Sequence, residues 1–162
     1  MIQEKKIPEE KIVVMKNKGT KNDIPIFLSQ LSGWIEANFI KTKGEYFTLY
    51  YTLPKNENET IVYDLGVPIN PETDTNGDKN IEVATLGEHT VISGIHEGEH
   101  DNIRETYDEI IKYCQENKYD IIGAPKEIFI TDPLDDNRVT EIQIPVIKMW
   151  LKCMMKKFKA KK

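Results

Sequence analysis

The feature of this sequence that most constrains its fold is an internal repeat. Residues of matching type recur 79 positions apart through most of one half: Gly19 with Gly98, Trp34 with Tyr113, Gly44 with Gly123, Tyr50 with Phe129, and Thr52 with Thr131. The offset then becomes 77 positions, which aligns Asp64 with Glu141 and Pro68 with Pro145. A repeat that keeps order, spacing and residue type predicts two copies of one structural unit.

Hydrophobic periodicity gives each copy the order β-α-β-β. In the first copy, strands are predicted at residues 11–15, 46–52 and 61–67, and Asp23 is the expected N-cap of the helix. The apolar stripe of that helix is Ile24, Leu28, Leu31, Ile35 and Phe39.

In the second copy, residues 84–95 supply strand material, and further strands are predicted at residues 127–131 and 139–146. Asn102 and Glu105 have the spacing of a capping box, followed by the helical stripe Ile103, Tyr107, Ile110, Ile111 and Cys114. The predicted fold class is α+β, with duplicated β-α-β-β units forming an antiparallel sheet, helices packed on it, and a ligand cleft between the halves.

These boundaries predict one domain over residues 1–162. The first pseudo-repeat covers residues 8–69, a polar linker covers residues 70–80, and the second pseudo-repeat covers residues 81–146. Residues 147–162 form a basic amphipathic tail with the stripe Ile147, Trp150, Leu151, Met154 and Phe158. Docking of this tail on a membrane is one interpretation, and packing on the domain or on a partner chain is favoured over it.

Charge and composition exclude several classes of protein. The chain carries a net charge of −5, and its tail holds seven lysines and no acid, so the body is strongly acidic and is not expected to bind nucleic acid directly. No apolar run reaches the ~20 residues that span a bilayer, and the N-terminus lacks a signal-peptide pattern. We expect a cytoplasmic protein with two free thiols, Cys114 and Cys153.

Three side chains are candidates for a ligand site. Trp34 and Tyr113 lie on corresponding flanks of the two helical stripes, where an aromatic ring either lines a cavity or seals the rim of the core. Glu141 lies inside an apolar strand and points either outward or into the protein. If it points inward, burial would raise its pKa and it would need a cation, a donor or a proton.

One rival motif points to zinc. Residues 96–100 read His-Glu-Gly-Glu-His, which satisfies the H-E-x-x-H pattern. That chemistry needs both imidazoles on one helix, whereas His96 and His100 fall at a strand end and a glycine turn. We therefore predict no metal site and no cofactor.

Several segments carry a resemblance to a known family. They are Gly98, Tyr107, Tyr113, residues 126–133 (KEIFITDP) and residues 140–146 (TEIQIPV). This pattern resembles the GyrI-like small-molecule-binding superfamily, which includes the effector-binding domains of bacterial multidrug-responsive transcription regulators. The resemblance implies two fused β-α-β-β units, a cleft between them, aromatic walls and an acidic residue at the base of the cleft. No helix-turn-helix precedes the match, so a standalone member is expected.

The resemblance places Glu141 at the position of the acid and Trp34 and Tyr113 at aromatic helix positions. The predicted ligand-binding set is Glu141, Trp34, Tyr113, Tyr50 and Phe129. The sequence departs from the family at two places. Residues 98–100 replace the usual Gly-Pro-Tyr, and Phe129 replaces a tyrosine before Thr-Asp-Pro.

The sequence leaves three function classes open. The favoured one is a binding protein for a cationic or heterocyclic amphiphile, with a small molecule as its partner. The second is a hydrolase of electrophilic, cyclopropyl-type compounds in the same pocket, with Glu141 and Tyr113 as catalytic residues. The third is a protein-interaction or enzyme-inhibitor module, for which the acidic body and the basic tail argue.

Overall fold

The computed structural model describes residues 1–99, 102–151 and 154. The fold is α+β, as predicted, with two long helices and an antiparallel sheet. The elements are β1 (Ile2–Ile7), β2 (Glu10–Gly19), a short 3-10 helix (Lys21–Asp23), α1 (Ile24–Ala37), β3 (Phe47–Tyr50), β4 (Ile61–Ile69), β5 (Ile81–Leu86), β6 (His89–Glu97), α2 (Ile103–Glu116), β7 (Tyr119–Ile121), β8 (Lys126–Phe129) and β9 (Val139–Lys148).

The strand order reflects the internal repeat. It runs β1-β6-β9-β8-β3-β4-β2-β5, with β7 paired to the end of β9. Asp64 pairs with Lys16 and Leu49, and Glu141 pairs with Ile95 and Ile128. Ile95 lies 79 positions after Lys16, and Ile128 lies 79 positions after Leu49. The two halves therefore share one pairing register and meet at the central pair, β3 and β8.

The outermost strands connect the halves. β1 pairs with β6 in the second half, and β5 pairs with β2 in the first half. Only Pro8 and Glu9 separate β1 from β2, and only Gly87 and Glu88 separate β5 from β6. Each of these two-residue connections joins strands that lie near opposite ends of the strand order. Because two residues span only a short distance, the two ends of the sheet lie close together and the sheet is strongly curved.

The two faces of the sheet have different partners. One face packs on the helices through two cores, one under α1 around Leu31, Tyr63 and Leu65, and one under α2 around Ile110 and Ile142. The other face, called the second face below, carries a smaller apolar cluster with Ile12, Val14 and Phe47. Alternation along the strands assigns each residue to one of these faces.

The helical stripes are largely as predicted, with local corrections. Phe39 is 95% exposed because α1 ends at Ala37 and Phe39 has a positive φ of 55°. Asn102 precedes α2 but makes no side-chain cap hydrogen bond, so the capping box predicted there is not formed. The reciprocal pair lies instead between Thr20 and Asp23, at the 3-10 helix that precedes α1.

The C-terminal segment begins as a strand. β9 continues to Lys148, so Ile147 belongs to the sheet and pairs with Asp120. Met149, Trp150, Leu151 and Met154 are all at least partly exposed. Cys153, Phe158 and the last lysines lie outside the described residues. None of the helices in the described ranges has the length and apolar character to cross a membrane.

Candidate ligand-binding groove

A groove crosses the helix-covered face of the sheet between α1 and α2. Its α2 end is a depression of about 300 Å³, and its α1 end is one of about 400 Å³. Two smaller depressions that share Lys21 connect these ends. The lining at the α2 end comes from α2, the β3–β4 loop and β8, and includes Ile103, Arg104, Tyr107, Asp108, Leu53, Pro54 and Glu127.

A buried carboxylate lies at the α2 end of the groove. Glu127 is 1% exposed and faces Thr48 across the central strand pair. Tyr107, on the buried side of α2, donates a hydrogen bond of 2.6 Å from its hydroxyl to Glu127 Oε2. Burial raises the pKa of Glu127 above its ordinary value, while Lys21, Tyr107 and His96 oppose that rise. Burial therefore favours the protonated form of this carboxyl group more than water does.

The tyrosines beside Glu127 stay protonated. Burial and the neighbouring Glu127 charge raise the pKa of Tyr107 and of Tyr50 well above that of a free phenol. The Tyr50 hydroxyl is buried and makes no hydrogen bond of normal geometry within the described residues. A buried polar group of this kind lowers stability unless a partner reaches it.

Lys21 provides the positive charge of the groove. Its ammonium lies 5.8 Å from the centroid of the Tyr50 ring, and it lines three of the four depressions. Arg104 adds a second cation at the α2 end, where Asp108 adds a second acid. The groove therefore offers charges of both signs beside the apolar side chains that line its two ends.

The predicted aromatic residues divide between the groove and the cores. Phe129 lines the α1 end, and Tyr50 lies beneath Lys21. Trp34 packs against the core under α1. Tyr113 packs against the core under α2, where its ring stacks on Tyr119 with centroids 6.5 Å apart. Trp34 and Tyr113 thus have core contacts, and their ligand-binding role stays a prediction.

Glu141 lies on the second face, away from the groove. Its Oε2 accepts hydrogen bonds from Lys5 Nζ at 3.0 Å, Ser93 Oγ at 2.8 Å and Gln143 Nε2 at 2.8 Å. Burial acts to raise the pKa of Glu141, but hydrogen bonds from Gln143, Lys5 and Ser93 outweigh it and lower that pKa. Three donors on the second face thus hold this carboxylate in place, and the assignment of Glu141 as the acid of a ligand site stays a prediction.

The histidine motif does not lie on a helix within the described residues. His96 is in β6, and Gly98 has a positive φ of 100°. His96 Nδ1 is 3.1 Å from Thr106 Oγ1, and its Nε2 is 2.7 Å from the Glu99 carbonyl oxygen. His100 lies outside the described ranges. Among the residues that the structure describes, no group of three or more His, Cys, Asp or Glu side chains is placed to hold a metal ion.

Sequence reasoning missed Glu127, although the strand pattern contained the signal. Phe129 was expected to line the ligand site, and a residue two positions away on a strand points to the same side. That residue is Glu127. By the same alternation, Glu141 points away from the face that carries Thr140 and Ile142, and Ile142 is a core residue under α2.

One family covers most of this chain. The sequence profile described as the GyrI-like small molecule binding domain matches residues 1–147. The chain belongs to this family. No curated protein matches the sequence.

Solved structures show the same GyrI-like fold. The EcmrR C-terminal domain has a TM-score of 0.78 and 22% identity, over 92% of this chain and 98% of that domain. A hydrolase encoded by lin2189 from Listeria innocua has a TM-score of 0.67 and 10% identity, over 90% and 91%. SAV2435 bound to tetraphenylphosphonium has a TM-score of 0.56 and 15% identity, over 91% and 94%.

The chain corresponds to part of one of these proteins. This chain spans 58% of the EcmrR chain in the EcmrR–DNA complex. All of these identities are below 25%, so the structural likeness establishes the fold, and the family profile establishes a small-molecule-binding domain.

Proposed function

We propose that this GyrI-like protein binds an amphipathic small molecule in the groove between α1 and α2. The observation that carries the proposal is Glu127, a carboxylate that is 1% exposed and hydrogen-bonded to Tyr107 at the α2 end of the groove. Burying a carboxylate opposes folding, and such groups concentrate at functional sites. The apolar lining and the few convergent polar groups are those of a small-molecule pocket.

The ligand class that we propose is a cationic or heterocyclic amphiphile. A ligand cation or ring N–H would be the partner of Glu127, and the aromatic rings of Tyr50 and Phe129 would contact its flat surfaces. Tetraphenylphosphonium is present in the related SAV2435 structure, which makes a lipophilic cation the first compound to test. Lys21 and Arg104 favour ligands that also carry an acceptor group.

A calorimetric titration of tetraphenylphosphonium and a panel of neutral heterocycles tests this proposal. We expect Glu127→Gln to weaken cation binding by about 10- to 100-fold, because a hydrogen bond or ion pair to a charged group contributes about 1.5–3 kcal/mol. Tyr107→Phe should weaken it less.

Glu141→Gln is the matched control, since it removes a buried carboxylate from the second face and should leave ligand affinities unchanged. Loss of binding in Glu141→Gln with retention in Glu127→Gln would contradict the groove assignment and restore Glu141 as the acid of the site.

A hydrolase is the second candidate, favoured by one observation. Glu127 combines a raised pKa with a hydrogen bond from a tyrosine, and both are features of a carboxyl group that acts as a general acid or base. If the protein is an enzyme, we propose Glu127 and Tyr107 as its catalytic pair. Turnover of cyclopropyl-type electrophiles that is lost in Glu127→Gln and kept in Glu141→Gln would support this function.

A further inference from the structure

A second cavity lies on the face of the sheet that the helices do not cover. It has a volume of about 310 Å³, at the lower end of the usual range for small-molecule sites. It opens between the β5–β6 connection and the β7–β8 loop, with walls from Ile12, Leu86, Val91, Ile122 and Pro145. Its polar lining residues are Lys126, Gln143 and His89. Among the described residues, the helix-side groove and this cavity share no lining residue. Both are lined by strand β8, which contributes Glu127 to the groove and Lys126 to the cavity.

Lys126 is the unusual feature of the cavity. The residue is 6% exposed, and its ammonium lies 4.4 Å from the centroid of the Phe47 ring. The nearest carboxylate oxygen, Glu10 Oε1, is 3.7 Å away, beyond the normal range of a hydrogen bond. An ammonium has three donors, so this geometry leaves capacity for an oxygen acceptor from a ligand. Burial lowers the pKa of Lys126, while the nearby carboxylates of Glu10 and Glu141 oppose that fall.

Two neighbouring acids, Glu141 and Glu10, compete only weakly with a ligand for the Lys126 ammonium. Glu141 Oε2 already accepts hydrogen bonds from Lys5, Ser93 and Gln143. Glu10 is on the rim of the sheet and is partly exposed to solvent, so water screens its charge. The cavity thus joins aliphatic walls to one buried cation.

We propose that this second cavity binds a medium-chain monocarboxylate, with its carboxylate on Lys126 and its alkyl chain along the aliphatic walls. Charge complementarity determines the head group, because an ammonium surrounded by apolar atoms is best satisfied by a carboxylate. The lining of the cavity selects an alkyl tail on the ligand, because most of the wall is aliphatic. The site is separate from the groove of the proposed function, and either can exist without the other.

Calorimetric titration with three ligands of matched chain length tests the proposal: octanoate, 1-octanol and octyltrimethylammonium. We expect octanoate to bind best and octyltrimethylammonium to show no binding at this site. Lys126→Met should weaken octanoate by about tenfold or more and leave 1-octanol unchanged, because it removes the charge and keeps an aliphatic side chain. Ile122→Trp should weaken both octanoate and 1-octanol, because it fills the mouth of the cavity from a position that is 56% exposed.

The groove provides the control for location. Lys21→Met removes the central cation of the groove and should leave octanoate affinity unchanged. Amide chemical-shift changes on octanoate addition should appear at Gly87 and Ala124, which line the cavity. The same spectra show whether each variant is folded.

Four results would overturn the proposal. They are no octanoate binding, equal amide shift changes at Gly87 and Ala124 with octanoate and with octyltrimethylammonium, equal octanoate affinity in Lys126→Met and the unsubstituted protein, and loss of octanoate binding in Lys21→Met alone. The last result would place the anion in the groove.

Discussion

Two buried glutamates on neighbouring strands have opposite electrostatic environments. Glu127 on β8 has a raised pKa because burial outweighs its favourable partners. Glu141 on β9 has a lowered pKa because three donors outweigh burial. One carboxylate therefore opposes folding when it is charged, and the other supports it. The two carboxylates therefore differ in what ionisation does to the stability of the fold.

The contrast predicts opposite effects of two isosteric substitutions. Because the folded-state pKa of Glu127 is raised, its contribution to stability is fully present below the ordinary value of 4.5 and is lost as the pH rises through the raised pKa. Glu127→Gln should therefore increase the free energy of unfolding at pH 8, by on the order of 1 kcal/mol, and have little effect at pH 4.

Glu141→Gln should behave in the opposite way. It should lower the free energy of unfolding at pH 7 by about 1–3 kcal/mol, because Lys5 loses a charged partner. This loss should shrink as the pH falls from the ordinary value of 4.5 through the lowered pKa of Glu141, where the native carboxylate becomes protonated. Urea denaturation at pH 4, 7 and 8 measures both variants, and equal signs at pH 8 would contradict the environments described.

At the scale of elements, apolar alternation predicted the core strands and missed the polar ones. β4 and β9 carry long apolar runs and were placed within a few residues. β1 escaped prediction because four of its six residues are polar and its partner, β6, is about 90 positions away in sequence. β7 has only three residues, too few for periodicity to show. The sequence predicted Tyr50 and Phe129 as ligand-binding residues, and the structure places both at the groove, although their role stays a prediction. Glu127 could not be predicted without knowing which face of β8 looks at the helices.

Two glycines in different elements give a matched test of packing. A Cβ on Gly66 in β4 would lie 2.5 Å from Phe47 Cζ and 2.7 Å from the Val13 carbonyl oxygen. Gly66→Ala should therefore lower the free energy of unfolding by about 1–3 kcal/mol. Gly33 in α1 has open space around its Cβ position, so Gly33→Ala should raise the free energy of unfolding by about 1 kcal/mol. Thermal melts of the two variants compare them directly, and an unchanged midpoint for Gly66→Ala would contradict the tight packing of Phe47 and the Val13 carbonyl against β4.

At the scale of the whole molecule, each half of the sheet uses an edge strand from the other. β1 completes the second half, where Ile2 packs on the core under α2 and Lys5 pairs with Glu141. β5 completes the first half through β2. The groove lies across the junction of the halves, so its shape depends on both exchanges.

Removal of residues 1–7 tests this dependence. The truncated chain loses the β1 ladder and the Ile2 contacts, and its thermal midpoint should fall by about 10 °C, since 1 kcal/mol corresponds to about 2–4 °C for a chain of this size. It should also self-associate, because β6 becomes an open edge. Lys5→Met, which breaks only the ion pair, should cause a smaller fall and no association. Size-exclusion chromatography with a thermal melt decides between these outcomes.

The exchange of β1 and β5 also has a consequence for how the chain folds. The pairing of β1 with β6 and of β2 with β5 joins segments that are about 70–90 residues apart, so neither half can complete its sheet before most of the chain is available. Folding should therefore be slow for a chain of this length and should end in one cooperative transition rather than two. Two separately expressed halves would each offer an unpaired edge to the other, and mixing them should rebuild the domain from its parts.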